Sequence, residues 1–412
     1  MLNLFGNLAH YLACFAARAK LAVVRVAALL IAIPRPTVLL GEDSALRLCE
    51  FIAQLGLRRV LIVTDSVLHQ LGVIDPLEAH LKALKIEAHT FSGVTPDPTV
   101  SVVNSGLSAL RMAQCDAVLA VGGGSSIDAA KVIALSAANN RLPQELIGLF
   151  KSRKSSLPLF VIPTTAGTGS EVTIGAVISD DQSHQKGIVI DPRVVPLATA
   201  IDPLLMRGMP RKVTAETGID ALTHALESWM SEWANAQTDF YAGAAVRLIF
   251  TFLPRACADG KDIEARTALG MASHYAGIAL NQAGLGYVHA IAHQLGAFYG
   301  LPHGRSNAIV LPHVLAFNRE VSRRRLAELA RKTGLVEDSA SDQLATDLLI
   351  DRVKLLLREV GIDARVPAIN PAHVPTMVKG AFAEAHGTYA VPRYMTQADV
   401  VGVLSALQAV RE

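Results

Sequence analysis

The sequence is poor in charge and in aromatic rings: charged residues make up 18% and Phe, Trp and Tyr together 5% of 412 residues. Neither sign of charge prevails. Lys and Arg number 38 and Asp and Glu 36, a formal net charge of +2. So small a surplus gives no footing for nucleic-acid binding, which rests on a basic field. Cysteine is scarce as well. Cys14, Cys49, Cys115 and Cys257 are scattered with no CxxC pair. They read as reduced thiols in a cytoplasmic setting, not as a disulfide framework. There is no internal repeat and no low-complexity tract.

Also missing is a long uncharged apolar run. Residues 1–33 are nearly all apolar, and their only charges are Arg18, Lys20 and Arg25. A secretory signal would put basic residues first, and a spanning helix would need about 20 uncharged apolar residues. The run "LAVVRVAALLIAI" is interrupted by Arg25. Read as a helix, the segment lines up Asn3, Asn7, His10, Cys14, Arg18 and Arg25 in one narrow polar stripe, with Lys20 off it. The rest of that cylinder is apolar and must be buried somewhere. Peripheral contact with a membrane, basic residues at the headgroups, is one expectation. Packing on another subunit is the other.

What is present is apolar residues, at 51%, in a chain longer than one hydrophobic core comfortably serves. Two textures follow the apolar extension of residues 1–35. From 36 to 205, short apolar runs such as "RRVLIVTD", "DAVLAVGGGSS", "LPLFVIPTT" and "VVPLATAID" alternate with helical segments. Continuous apolar strands with helices between them predict a parallel sheet covered on both faces. From 206 to 412 the strand-like runs stop, and stretches such as "VTAETGIDALTHALESWM" carry helical spacing. The expected fold is a Rossmann-like α/β domain followed by an all-helical domain, with ligands between them.

Three motifs on the first domain suit an anionic, hydroxyl-rich ligand. "GGGSSIDAAK" joins a strand to a helix. Gly122, Gly123 and Gly124 allow close approach of a phosphate, the helix N-terminus offers N–H groups, and Ser125 and Ser126 add hydroxyls. An ordinary tight turn is the alternative, but three consecutive glycines between strand and helix are costly without a reason and favour the phosphate. Asp65 ends an earlier strand, where an acid either binds ribose hydroxyls and repels a 2′-phosphate or merely caps the next helix. "IPTTAGTGSEVT" gathers Thr164, Thr165, Thr168 and Ser170 in one small-residue loop, with a plain polar loop as the alternative.

The second domain concentrates imidazoles. Asp220 and His224 stand four residues apart, which puts both on one helix face. His289 and His293 repeat the spacing, and His303 follows a proline; with His313 they make four of the chain's 13 histidines within 28 residues. One carboxylate with several imidazoles suits a divalent first-row metal. A core histidine is the plainer reading for any one of them, and above all for His313. Spacing alone does not select which three bind.

Taken together and in order, "GGGSSIDAAK", "IPTTAGTGSEVT", "TAETGIDALTHALESW" and "GYVHAIAHQLGAFYGLPHGRSNAIVLPH" resemble the iron-containing (group III) alcohol dehydrogenases, over about residue 36 to the C-terminus. The resemblance implies metal ligands at Asp220, His224, His289 and His303, with Fe2+ first and Zn2+ second. It implies that His293 lies beside the nicotinamide and the reacting carbon. It implies pyrophosphate binding at Gly122 to Ser126, further cofactor contacts from Thr164, Thr165 and Lys186, and a preference for NAD through Asp65. A homodimer or larger homo-oligomer and a small alcohol or aldehyde substrate are implied too. Other chemistries share this fold: a lyase or synthase of the dehydroquinate-synthase type, or another reductase such as maleylacetate or lactaldehyde reductase. The chain departs from the family in two places. Val391, Pro392 and Arg393, preceded by Tyr389, stand where relatives commonly show Asn-Pro-Arg, and the first 33 residues have no counterpart in typical members.

Overall fold

The computed structural model describes residues 2–29, 31–182 and 186–409, and within the first helix the side chains of 12–25. The chain divides into two compact units. One comprises Ala32–Pro210 and Asp259–Gly277, the other Met1–Ile31, Arg211–Ala258 and Ile278–Glu412.

The first unit is built on a sheet. Strands β1 (Thr37–Leu40), β2 (Arg59–Asp65), β3 (Glu87–Val94), β4 (Ala117–Gly122), β6 (Leu159–Pro163) and β9 (Ala198–Ile201) form six parallel strands in the order β1-β9-β6-β4-β2-β3. Short β5 (Gly148–Leu149), β7 (Gly175–Ser179) and β8 (Lys186–Ile190) make a separate sheet in the order β5-β8-β7. The helices are α2 (Ser44–Gln54), α3 (Ser66–Gln70), α4 (Asp75–Ala83), α5 (Val100–Met112), α6 (Gly124–Asn139) and α7 (Pro203–Met206).

Strand periodicity explains why the central strands are apolar throughout. Leu61, Val63, Val118, Ala120, Leu159 and Val161 join a core that includes Val103 of α5 and Ile127 and Ile133 of α6. Their alternates Val60, Ile62, Leu119, Val121, Phe160 and Ile162 join a second core with Leu48 and Ile52 of α2 and Leu77 and Leu81 of α4. Each Val, Leu, Ile or Phe among them contributes roughly 1.5–3 kcal/mol by leaving water, so burial on both faces fixes the strands in place. The chain runs outward from β2 to β3, then returns to lay β4 on the other side of β2 and continues to β6 and β9. Direction thus reverses between β2 and β4. Ligands of open α/β sheets bind outside the carboxyl ends of strands at such a reversal.

The second unit is helical, and among the described residues no strand follows β9. It contains α8 (Arg211–Met230), α9 (Ala236–Ala258), α11 (Tyr287–Tyr299), α12 (His303–Asn318), α13 (Arg323–Lys332), α14 (Asp342–Val360), α15 (Val374–Thr388) and α16 (Gln397–Ala409). Helix α10 (Ile263–Ala283) groups with the sheet unit as far as Gly277. There Gly169, at φ +60°, meets Gly277 so closely that a Cβ on Gly169 would lie 2.8 Å from the Gly277 Cα.

Helix α1 (Leu2–Leu29) belongs to the helical unit. Ala17 and Leu21 are its buried side. Arg18 pairs with Glu232 at 3.0 Å, Lys20 Nζ donates to the Gly387 carbonyl at 3.1 Å, and Arg25 donates to the Glu232 carbonyl at 3.3 Å. The basic side chains of the expected stripe, Arg18 and Arg25, therefore both bond to Glu232, in the turn between α8 and α9. Asn3, Asn7 and His10 of that stripe lie outside the described side chains. On the solvent side Leu12, Phe15 and Val23 are 61%, 73% and 71% exposed. No helix among the described residues is long and apolar enough to cross a membrane.

Candidate metal centre and cofactor-binding loops

At the carboxyl ends of neighbouring strands the sheet unit gathers the residues singled out for an anionic ligand. Asp65 closes β2, Gly122 closes β4, and Thr164 and Thr165 follow β6. The Thr164 N–H donates to the Gly122 carbonyl at 3.0 Å, which ties the two turns together. The glycines answer to sterics as well as to any ligand. A Cβ on Gly122, at φ +155°, would lie 2.6 Å from Ser126 Oγ, and one on Gly124 would lie 2.7 Å from Thr168 Cγ2. Helix α6 begins here with no side-chain cap, so its first N–H groups remain for an acceptor brought from outside. Asp65 does cap α3, one oxygen accepting from the Val67 and Leu68 N–H groups at 2.9 Å each. Only Oδ1 is used in this way. Lys186 pairs with Asp97 Oδ1 at 2.9 Å on the small sheet.

Beneath these loops lies a buried polar cluster with no sequence signal of its own. Lys131 of α6 donates to Ser170 Oγ (3.2 Å), Thr173 Oγ1 (3.1 Å) and the carbonyls of Thr173 (2.8 Å) and Gly175 (2.7 Å). Asp128, one turn earlier, accepts from the Ser170 hydroxyl and from the Val177 N–H. Burial pushes the Lys131 ammonium down to about 8, against the pull of Asp128 and Glu171. The cluster thus ties α6 to the loop after β6.

In the helical unit, one face of α8 presents Asp220, His224 and Glu227; α11 presents His289 and His293; the start of α12 presents His303 and Asn307. Asp220, His224, His289 and His303 each offer one ligand atom, all within 4.8 Å of one another. The Nε2 atoms of His224, His289 and His303 stand 3.8, 3.7 and 3.4 Å from Asp220 Oδ1. Donors bound to one tetrahedral ion at ~2.1 Å lie roughly 3.4 Å apart, so the set fits a divalent metal with little movement. Burial works to raise Asp220, but the surrounding imidazoles hold it well below the usual carboxylate range. Burial takes His224 down to about 4, where the ring is a neutral donor.

Around the four sit residues that spacing did not single out. Glu227 accepts from His289 Nδ1 at 2.6 Å and from the Val288 N–H at 2.7 Å, both His289 and Glu227 being buried. A carboxylate on the far nitrogen of a ligating imidazole fixes its tautomer and strengthens it as a donor. Gly286 makes room: a Cβ there would lie 2.8 Å from Glu227 Oε1. Asn307 Nδ2 donates to Asp220 Oδ1 at 2.7 Å and lies 3.1 and 3.2 Å from the Nε2 atoms of His289 and His303. Its Oδ1, like His224 Nδ1, is buried and has no partner among the described residues. Neither is one of the converging atoms; what suits the cluster to a divalent cation is the convergence of three Nε2 atoms on one carboxylate oxygen.

His293 stands apart from the four. Its ring stacks on His303 with centroids 5.3 Å apart, and its Nδ1 bonds to Glu384 of α15 at 2.8 Å. His313 lies further along α12 and is half-buried. In the departing C-terminal segment, Tyr389 donates to Glu384 at 3.3 Å and Arg393 lies over the Phe317 ring at 4.5 Å.

Known proteins carry the same organisation. The iron-containing alcohol dehydrogenase pattern matches residues 35–203, and the C-terminal pattern of the Fe-containing alcohol dehydrogenase family matches 214–408. Alcohol dehydrogenase 4 of Schizosaccharomyces pombe is 42% identical over 326 residues, 79% of this chain and 76% of that one. The NAD-dependent methanol dehydrogenase of Bacillus methanolicus is 35% identical over 371 residues, 90% of this chain and 97% of its own. Among solved structures, an alcohol dehydrogenase from Oenococcus oeni superposes with a TM-score of 0.87 at 33% identity, covering 91% of this chain and 99% of that one. Both family patterns leave residues 1–34 outside them.

Proposed function

The chain belongs to the iron-containing alcohol dehydrogenase family, and on that premise we propose that it moves a hydride between a small primary alcohol, or its aldehyde, and NAD. The convergence of Asp220, His224, His289 and His303 within 4.8 Å carries the reading. A divalent metal there, iron before zinc, supplies a Lewis acid that lowers the pKa of a nearby alcohol oxygen. Asp220 contributes the one negative charge of the set. Glu227 keeps His289 Nδ1 protonated and its Nε2 inward. His293 takes the hydroxyl proton, since Glu384 occupies Nδ1 and leaves Nε2 for the substrate.

The sheet unit holds the cofactor in the same proposal. Gly122 to Ser126 and the uncapped start of α6 receive the pyrophosphate, with Thr164, Thr165 and Lys186 as further contacts. Asp65 spends one oxygen on α3 and offers the other to the ribose hydroxyls, which selects NAD over NADP. Purified protein, loaded with iron or zinc and given simple alcohols, should accumulate NADH. Turnover of a phosphorylated acid without net NADH would instead move the chain to the lyase and synthase class.

The reading extends to α1. Its three cations are held by Glu232 and the Gly387 carbonyl, while Leu12, Phe15 and Val23 face outward without a charge among them. Anionic headgroups would want those cations free beside the apolar arc, so a second copy of the chain, in a homodimer or larger homo-oligomer, is favoured over a membrane surface. Cys49 and Cys115 are buried thiols that burial pushes up to about 12 and about 11, so neither is poised to react. Deleting residues 1–33 should leave kcat within about threefold, under ~1 kcal/mol of barrier, and lower the oligomer size on light scattering. Lost sedimentation with anionic vesicles, at unchanged oligomer size, would favour the membrane.

A further inference from the structure

Helix α11 carries two histidines one turn apart, and each gives its Nδ1 to a carboxylate. His289 bonds to Glu227 at 2.6 Å with side-chain exposures of 1% and 2%. His293 bonds to Glu384 at 2.8 Å with exposures of 21% and 32%. The bond type is the same and the access to water is opposite. A sealed carboxylate does no more than hold a ring. One that reaches solvent also has somewhere to send a proton.

We propose that Glu384 is the positioning residue and the proton outlet of His293, joining the reaction centre to solvent through one imidazole. This rests on the reading of His293 as the group that takes the hydroxyl proton. The chain builds the outlet deliberately. Gly380 of α15 leaves room for the Gln294 carboxamide of α11, which a Cβ there would displace. That Gln294 donates to Glu384 Oε1 at 3.5 Å, and Tyr389 donates to Oε2 at 3.3 Å. Burial, with Glu384 and Glu227 near, raises the Tyr389 hydroxyl well above its ordinary value, so it remains a donor. Tyr389 stands in the segment where this chain leaves its family's pattern. With a carboxylate on Nδ1, that nitrogen carries the hydrogen and Nε2 the lone pair. In alcohol oxidation the hydroxyl proton goes to Nε2, the Nδ1 proton goes to Glu384 Oε2, and water takes it from there. Reduction of the aldehyde runs the same path inward. No electrons travel this way; the hydride pair passes to the nicotinamide.

The test uses the full metal-loaded chain in four forms: wild type, Glu384→Ala, Glu384→Gln and His293→Ala, plus the double variant H293A/E384A. His293→Ala should lower kcat by about 10²-fold, the lower range of acid–base help. Glu384→Ala should fall close to it, with metal per chain and KM for NAD unchanged, and the double variant should be no slower than His293→Ala. Glu384→Gln still accepts from Nδ1 but takes no proton; it should lose about tenfold and recover when imidazole is added as a diffusible base. Losses that multiply in the double variant, or a Glu384→Ala kcat within twofold of wild type while His293→Ala is slow, would overturn the proposal alone. A wild-type Glu384→Gln would remove the outlet. A wild-type His293→Ala would take down the reading of His293, and this proposal with it.

Discussion

Two buried polar clusters, one in each unit, use similar side chains to opposite ends. Around Lys131 the bonding closes on itself: the ammonium has four acceptors, and both oxygens of Asp128 are taken. Around Asp220 it does not close. Three imidazole nitrogens converge on one carboxylate oxygen, with the Asn307 amide nitrogen beside them as a donor that is not an imidazole. A satisfied network is a brace, because each member already spends its hydrogen-bonding capacity within the chain. A convergent one is a candidate site, because several lone pairs aimed at one point suit a cation.

The contrast is broken most severely on the brace. Lys131→Met strands the Asp128 charge and two carbonyls in the core. It should cost about 3–5 kcal/mol of folding stability, read as a fall in denaturant midpoint, while metal per folded chain stays the same. A variant of wild-type stability would mean that the cluster braces nothing. Next comes the carboxylate behind the site. Glu227→Ala leaves His289 Nδ1 and the Val288 N–H unpaired, and metal affinity should drop about 10–100-fold, by competition against a chelator. Unchanged affinity would reduce Glu227 to a packing residue. The smallest effect belongs to Asp65→Asn, which keeps an N-cap oxygen for α3 and removes the charge. Stability should move by less than ~0.5 kcal/mol, while the ratio of kcat/KM for NADP to that for NAD rises several-fold. An unchanged ratio would leave Asp65 as a helix cap.

Sequence pattern is most legible where one element determines it. The apolar runs of β2, β4, β6 and β9 announce a parallel sheet because both faces are covered, and the i, i+4 pairs of Asp220/His224 and His289/His293 put each pair on one helix face. Strand β3, "EAHTFSGV", is an edge strand of half-buried residues, so its polar letters hide it. The short β7 and β8 are mostly apolar but only five residues each, too short to stand out from the loops around them. What spacing left open was the choice among histidines, since His293 lies as close in sequence to His289 as His224 does to Asp220. In the fold Glu384 draws the His293 ring by its Nδ1 and the other three meet at Asp220. Glu227, Glu384 and Lys131 went unnoticed because each finds its partner 39 to 91 residues away in the chain. Glu227 sits three residues after His224 on the face of Asp220, and that register is the one signal that would have found it.

The central claim is that the convergent cluster around Asp220 holds a metal. The most direct test is the metal content of purified His303→Ala after anaerobic loading with iron and removal of free ion, measured by elemental analysis beside wild type. Wild type should carry one metal per chain, and the variant essentially none, since a lost ligand opens the site and leaves Asp220 poorly neutralised. A folded His303→Ala that still holds one metal per chain at wild-type affinity would contradict the assignment.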